Sequence, residues 1–468
     1  MNEKKIKVLC FQNTDSGRDV EIMLPVQYFA ERFLNCTFEH VVIRDIFAIY
    51  RKKPDIVFIP NTIGSRLYFT IAKLAHDQGI PVFALISEGN FRTNGTFNYW
   101  GYNEAKLFFQ EYVCCWSKRT ANFLKKEVPE AAHKIVITGA TGFDRYKIYE
   151  FMKKGDFLKK YGKANYKKVI LYAGWAFGKL QHPRGRMELT DAYDNPKERL
   201  KWVEDQRDKV YEILKPMVEN NKDILFLLKK HPQESSPEIV RELLNEMDRL
   251  KDYENVIYLS EEESVHDLIS VSDLLLCFES TTALETWLMG KETIFINPDP
   301  NFNRDELYKG SVMVANYADL QNNINVFYEK GSMPEFNAPG KVQKREEIAE
   351  KTIGFSDGMN HIRAGYYFKK VVDKIRNEKP EIKYKFRLFD VIIYLSFVLS
   401  RPFYIKPVFL KIYKFKKIVW VYENWNVNIG IMYLYKKYSV FLDRFYKENK
   451  IEEKYSGGSL FQSLIKNS

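Results

Sequence analysis

At 468 residues the chain is too long for one ordinary core, and its length alone points to two domains plus an appendage. Charged residues at 28% and hydrophobic residues at 45% are globular values, which set aside a disordered chain. The net charge of +11, with a pI near 9.0, favours an anionic partner: nucleotide phosphate, nucleic acid or an acidic membrane surface.

In chain order, the first residues, MNEKKIKVLCFQN, carry no hydrophobic signal core and run directly into a strand, so the expected location is cytoplasmic. From residue 5 to 145 strands and helices alternate: strand Ile6 to Phe11, helix Gln27 to Phe33, strand Asp55 to Ile59, helix Arg66 to Gln78, then strands Val82 to Ile86 and Tyr112 to Trp116. A second series begins with the strand Val169 to Ala173. It continues with helix Glu198 to Glu219, strand Ile224 to Leu228, helix Pro237 to Leu250 and strand Val256 to Leu259. It closes with strand Leu274 to Phe278, helix Ala283 to Met289 and strand Thr293 to Ile296. Such alternation predicts α/β halves, each a parallel sheet covered on both faces, with a ligand between them at the carboxyl ends of the strands. The domains are expected over 1–150 and 165–345, followed by helices over 346–380 that return to the first domain and a distinct tail over 381–468.

Several polar groups fall on strand exits. In the first half these are Asp15 to Arg18, Asn61 to Arg66, and Ser87-Glu88-Gly89. Asp15, Arg18, Asn61 and Arg66 are candidate acceptor contacts. Glu88 is either a general base for an acceptor hydroxyl or a solvated acid in a turn. The TGATGF of residues 138 to 143 imitates a dinucleotide-binding turn, but Arg145 stands where the third glycine belongs, so Gly139 and Gly142 read as shaping the exit from the first domain.

In the second half His231-Pro232 follows a strand, where the imidazole can donate to a phosphate or protonate a leaving group. Ser280, Thr281 and Thr282 open the helix of the last unit, where hydroxyls and free backbone N–H groups suit an anion. Glu285, one turn in, can accept from ribose hydroxyls, and Gly174 and Pro232 complete the donor-nucleotide set. His182-Pro183 lies in the long charged loop of residues 178 to 196, which is either a lid or an exposed insertion. The five cysteines (Cys10, Cys36, Cys114, Cys115, Cys277) lack CxxC spacing and neighbouring histidines, and read as reduced core thiols. No DxD pair or metal-spaced cluster occurs, so neither a metal nor any other cofactor is expected. The GKET of residues 290 to 293 lacks the upstream glycine of a P-loop.

The tail differs from what precedes it. Residues 381 to 420 hold nine Lys or Arg against two acids, interleaved with eleven aromatics. The apolar run Val391 to Leu399 is far shorter than the roughly 20 residues of a spanning helix. Two readings stay open: a helix lying in the interface of an anionic inner leaflet, or a helical extension packed on the domains with a solvated basic face. The charge excess is concentrated here and no recognition motif accompanies it, so nucleic acid is not an expected partner.

With both halves placed, residues 5 to 375 resemble GT-B glycosyltransferases of bacterial surface-polysaccharide synthesis. Within these the chain is similar to the HP-motif group that includes bacterial sialyltransferases and Kdo transferases. The resemblance rests on His231-Pro232 and Ser280-Thr281; Ser87-Glu88-Gly89 matches in part, since Ser87 occupies the first acidic position. It implies a metal-independent, inverting transfer of a sugar, a CMP-linked acidic sugar first, to a hydroxyl of a surface glycan or lipid-linked acceptor. His231 and the hydroxyls would then hold the leaving phosphate, Glu285 the ribose, and Glu88 the acceptor proton. The enzyme would sit peripherally on the inner face of the cytoplasmic membrane. The same features resemble CDP-glycerol and related polyol-phosphate transferases. A UDP-sugar 2-epimerase shares the two halves and the Ser-to-Glu helix, but needs acid and base groups around one sugar and no acceptor.

Overall fold

The computed structural model describes residues 4–61, 66–89, 106–178, 195–234, 245–260, 262–278, 280–299, 309–378, 380–385, 395, 399 and 427–465. The chain forms two compact units, Met1–Tyr149 with Glu350–Ser468, and Glu150–Ala349. Residues 150 to 164, next to the expected second domain, fold with the second unit. Lys154 holds Asp273 at 2.7 Å there, and Tyr161 donates to Glu263 at 2.9 Å.

Unit 1 contains one parallel sheet of six strands: β1 (Ile6–Gln12), β2 (Cys36–Val42), β3 (Ile56–Ile59), β4 (Val82–Ala84), β5 (Val113–Cys115) and β6 (Ile135–Ile137). Their order is β2-β1-β3-β4-β5-β6. Strands β2 and β6 escaped the sequence reading: β2 has the polar, partly exposed start of an edge strand, and β6 is only three residues long. Unit 2 also has one parallel sheet of six strands, β7 (Lys168–Ala173), β8 (Ile224–Lys229), β9 (Val256–Leu259), β10 (Leu274–Cys277), β11 (Glu292–Ile296) and β12 (Val312–Val314), in the order β12-β11-β10-β7-β8-β9, with two strands before the reversal where unit 1 has one. The interior strands are continuous apolar runs, ILFLLK in β8 and LLLC in β10, with every residue buried because helices cover both faces. In each sheet the winding direction reverses beside the first strand, between β1 and β3 in unit 1 and between β7 and β10 in unit 2. In open α/β sheets ligands bind outside the carboxyl ends at such a reversal.

The first helix runs Arg18–Phe33, nine residues earlier than its periodicity suggests, and tolerates Pro25 within it. Its stretch from Ile22 to Ala30 is buried all round, which an amphipathic surface helix cannot manage alone. The sheet covers one side; the helices Asn360–Glu378 and Val427–Glu448 cover the rest. A Cβ on Gly365 would collide with the Phe29 ring, so glycine is what lets the Asn360–Glu378 helix approach this closely. Asp144 accepts from the backbone N and Nδ1 of His361 at 2.7 and 2.8 Å, and the His361 ring reaches the Tyr446 hydroxyl at 3.1 Å. Gly139, at φ 78°, lies against Asn360, whose side-chain amide donates to the Ala140 carbonyl at 3.2 Å. The TGATGF segment is thus part of the structural clasp of unit 1.

Residues 427–465 settle one question about the tail. The helices Val427–Glu448, Ile451–Ser456 and Leu460–Ile465 pack on unit 1. Tyr435 donates to Glu31 at 2.5 Å, Asn428 accepts from the His40 backbone at 3.0 Å, and Arg32 meets Asp443 at 2.9 Å. At ~1.5–3 kcal/mol per buried large apolar side chain, Ile431, Leu442, Phe445 and Tyr446 make this part of the tail integral to the unit. The apolar run Val391 to Leu399 lies outside the described residues but for Leu395 and Leu399, as do the loop of residues 179–194 and most of the helix expected over Pro237 to Leu250.

Candidate functional site

Unit 2 gathers the stronger constellation. Register aligns the ends of its three central strands, Ala173 opposite Lys229 on one side and opposite Cys277 on the other. The exits from β8, β7 and β10 therefore leave one edge at one level, bringing His231, Gly174 and Ser280 together across two strand spacings, roughly 10 Å. The Gly174 backbone N donates to the Lys229 carbonyl at 2.9 Å. A Cβ there would lie 3.1 Å from that carbonyl oxygen and 3.2 Å from Glu246 Oε1, so the exit from β7 has no room for a side chain. His231 is half-buried, and Pro232 begins a one-turn 3-10 helix that the Glu234 backbone N closes on the His231 carbonyl at 2.9 Å.

At the exit from β10 the three hydroxyls are not equivalent. The Ser280 hydroxyl donates to the Thr282 hydroxyl at 2.7 Å and accepts from the Thr282 backbone N at 3.2 Å. Thr282 is buried and turned inward, which removes it from the expected donor contacts; Ser280 is half-buried and Thr281 exposed. The helix is Thr282–Leu288, only seven residues, so its dipole is short and the hydroxyls and backbone N–H groups must do most of any anion binding. Glu285 places its carboxylate 3.6 Å from His266 Nδ1, so the group expected at a ribose already has an imidazole beside it.

Sequence reasoning missed two buried acids behind this edge. Glu234 accepts from the Gly178 backbone N at 2.5 Å and from the Asn245 amide at 3.2 Å. Glu246 accepts from the Tyr172 hydroxyl at 2.9 Å and the Trp175 backbone N at 3.2 Å, while its other oxygen has no protein partner. Burial drives both carboxyls well above the ordinary range, and the charge of Glu234 pushes Glu246 up further. Together they pin the loop after β7 to the segment after β8; Glu246, pushed up to about 8, is largely protonated near neutrality, while Glu234, raised to about 7, is divided between its two forms. A signal existed: Glu246 stands at helical spacing with Leu243 and Leu250, an acid on the apolar face of the expected helix.

The matching edge of unit 1 is arranged otherwise. Ser87 is buried, and the turn after β4 is held by the Trp116 indole donating to the Ile86 carbonyl at 2.7 Å and by Thr120 donating to the Gly89 carbonyl at 3.0 Å. Glu88 is thrown outward, 66% exposed, and forms an ion pair with Arg18. The carboxylate expected as a base at Glu88 therefore has the Arg18 guanidinium as its partner. The carboxylate beside it with a base's environment is Asp19, which no sequence motif marks. Burial raises its pKa, against hydrogen bonds from Ser87 and Asn13 and the charge of Arg18. Asp15 lies against the backbone of Gly430 in the C-terminal helix, which leaves it less room as an acceptor contact. Asn61 follows β3 and is half-buried, and Arg66 is the first residue of the helix Arg66–Asp77. Among the described residues no group of three or more His, Cys, Asp or Glu is placed to hold a metal ion, and all five cysteines are buried thiols.

No protein-family model matches the chain, and no curated protein matches it in sequence. Solved structures do. A UDP-N-acetylglucosamine 2-epimerase structure is similar over 78% of this chain and 98% of its own, with a TM-score of 0.50 at 13% identity. A Listeria monocytogenes protein assigned as a UDP-N-acetylglucosamine 2-epimerase is similar over 82% and 100%, with a TM-score of 0.51 at 15% identity. The fold is thus GT-B-like, two parallel six-stranded α/β halves, shared with these structures. At 13–15% identity the likeness to these two structures is one of fold, and it bears out the GT-B-like part of the resemblance.

Proposed function

We propose that the protein is an enzyme acting on a nucleotide-linked sugar, with unit 2 holding the nucleotide, and that a 2-epimerase-like reaction on a UDP-sugar is the first chemistry to test. The observation that carries the reading is the level carboxyl edge of β10, β7 and β8, where a half-buried imidazole, the hydroxyls of Ser280 and Thr281 and a glycine-lined exit converge. An anion gains from that edge because burial raises the pKa of both nearby carboxyls, so they repel it less than solvated acids would. His231 would donate to the phosphate and support its departure from the sugar, with Ser280 and Thr281 on the same phosphate. The epimerase reading has the fold likeness on its side and needs no acceptor hydroxyl, hence no free base at Glu88.

Glycosyl transfer is the second reading, favoured by one observation: Asp19, supported by Ser87 and with its pKa raised, is suited to accept a hydroxyl proton at the edge of unit 1. The deciding experiment incubates the purified chain with UDP-N-acetylglucosamine and no acceptor, followed by NMR. Thermal-shift titrations with UDP, CDP, CMP and GDP run alongside. Appearance of the 2-epimer supports the first reading. Stabilisation by a nucleotide without turnover moves the protein to the transferases, and no response to any nucleotide overturns the proposal.

A further inference from the structure

The Val427–Glu448 helix has two unlike faces. Its inner face, with Val427, Ile431, Leu442, Phe445 and Tyr446, is buried on unit 1. Its outer face should be polar in a helix with water beyond it, yet Ile429, Tyr433 and Val440 are 72%, 74% and 65% exposed, with Met432 beside them. These positions, with the exposed Lys436 and Lys437, recur at three- and four-residue spacing and form one stripe along the cylinder. Single exposed apolar residues need no explanation, whereas an aligned row with cations set into it does. Of the two acids of the same helix, Asp443 is drawn to Arg32 on the first helix, and Glu448 is its last residue, about two turns beyond Val440. The wider charge distribution agrees in sign. Residues 381 to 468 carry sixteen Lys or Arg against seven acids, nine of the net +11 of the whole chain.

We propose that this stripe, Ile429, Met432, Tyr433, Lys436, Lys437 and Val440, rests on the headgroup region of an anionic lipid surface. Apolar side chains of this size enter the boundary between headgroups and acyl chains, a tyrosine ring suits that boundary, and lysines at the same level meet lipid phosphates. Among the described residues no helix is long and apolar enough to cross a membrane, so contact is lateral. Gly430 at the start of the stripe touches Asp15 in the loop after β1, so the lipid surface would lie next to the carboxyl edge of the unit 1 sheet. The inference stands on this helix and does not depend on what unit 2 binds.

The test is flotation of the full chain with vesicles of equal parts phosphatidylglycerol and phosphatidylcholine, against vesicles of phosphatidylcholine alone. Two variants accompany it, Ile429→Ser/Tyr433→Ser/Val440→Ser and Lys436→Ala/Lys437→Ala, each checked for an unchanged thermal transition. All five side chains point outward, so both variants should fold. The expected result is binding to the anionic vesicles only, weakened about tenfold in each variant and by added salt. Undiminished flotation of the triple variant, or no flotation of the wild type, overturns the proposal. So does a dimer in solution that the triple variant dissociates, since a second copy would then be the occupant of the stripe.

Discussion

Both sheets are parallel and six-stranded, but they treat charge at their carboxyl edges in opposite ways. In unit 1 the charges close on one another or on the chain: Glu88 pairs with Arg18, and Asp15 lies against Gly430. In unit 2 Glu234 and Glu246 are withdrawn behind the edge with raised pKa values, and an imidazole and hydroxyls stand in front. An edge whose charges are mutually satisfied gains little from an incoming anion. One whose acids are buried behind it repels an incoming anion less. The comparison teaches that two parallel sheets of equal size can present unlike edges through where their carboxylates are placed.

The comparison breaks most sharply at His231. Changing His231→Ala should cost about 10²–10⁴-fold in turnover of the nucleotide-linked substrate and abolish nucleotide-induced stabilisation, with the thermal transition nearly unmoved. Wild-type turnover in that variant would remove unit 2 as the reactive half. Gly174→Ala comes next. Its methyl group meets the Lys229 carbonyl and Glu246, so a loss of about 1–3 kcal/mol in stability should accompany weakened nucleotide binding, read by denaturant titration with and without UDP.

Unit 1 can be probed through His40, buried on β2, whose pKa burial lowers to about 3. Its Nε2 faces Gln27 at 2.9 Å and its Nδ1 has no partner, as suits a neutral ring. A lowered imidazole pKa means the unfolded chain binds the extra proton, so stability is complete above about 6.5 and is lost as pH falls toward 3. The loss is about 2 kcal/mol by pH 5. His40→Gln should flatten that acid slope in urea titrations at pH 7.5 and 5. Glu246 has the opposite sign. Its raised pKa means the folded state binds the proton, so stability declines as pH rises from about 5 to about 8. Glu246→Gln should remove that decline in a series of melting curves; an unchanged decline would place the titration elsewhere. The smallest effect is expected at the exposed pair: Arg18→Ala or Glu88→Gln should change stability by less than about 1 kcal/mol. A hundredfold fall in turnover with Glu88→Gln would restore Glu88 as a base and erase the contrast between the edges.

Much of this was legible locally. The runs ILFLLK and LLLC announce buried parallel strands, and the exits that follow them carry His231 and Ser280 in the open sequence. The same reading could not tell Thr282, turned inward on Ser280, from Thr281, which is exposed, because adjacent hydroxyls differ only in where the backbone aims them. Nor could it find Glu234 beyond the HP motif, since an acid in a loop reads as solvated until its neighbours are known. For the tail, composition left lipid and packing as equals. The half described here does pack, through Phe445, Tyr446 and Leu442 on the first helix, and still leaves one row of apolar residues outward.

By itself the sequence determined the α/β class, the two halves and the polar residues at the strand exits, because alternation and periodicity are set by bonds between near neighbours. Tertiary structure alone decided that β7 lies between β8 and β10, that Glu88 meets Arg18, that Glu234 and Glu246 are buried together, and that residues 427–465 close over the first helix. These are contacts between residues from about ten to more than four hundred positions apart. Their free energy comes from burial and from charges meeting at short range, neither of which local pattern encodes.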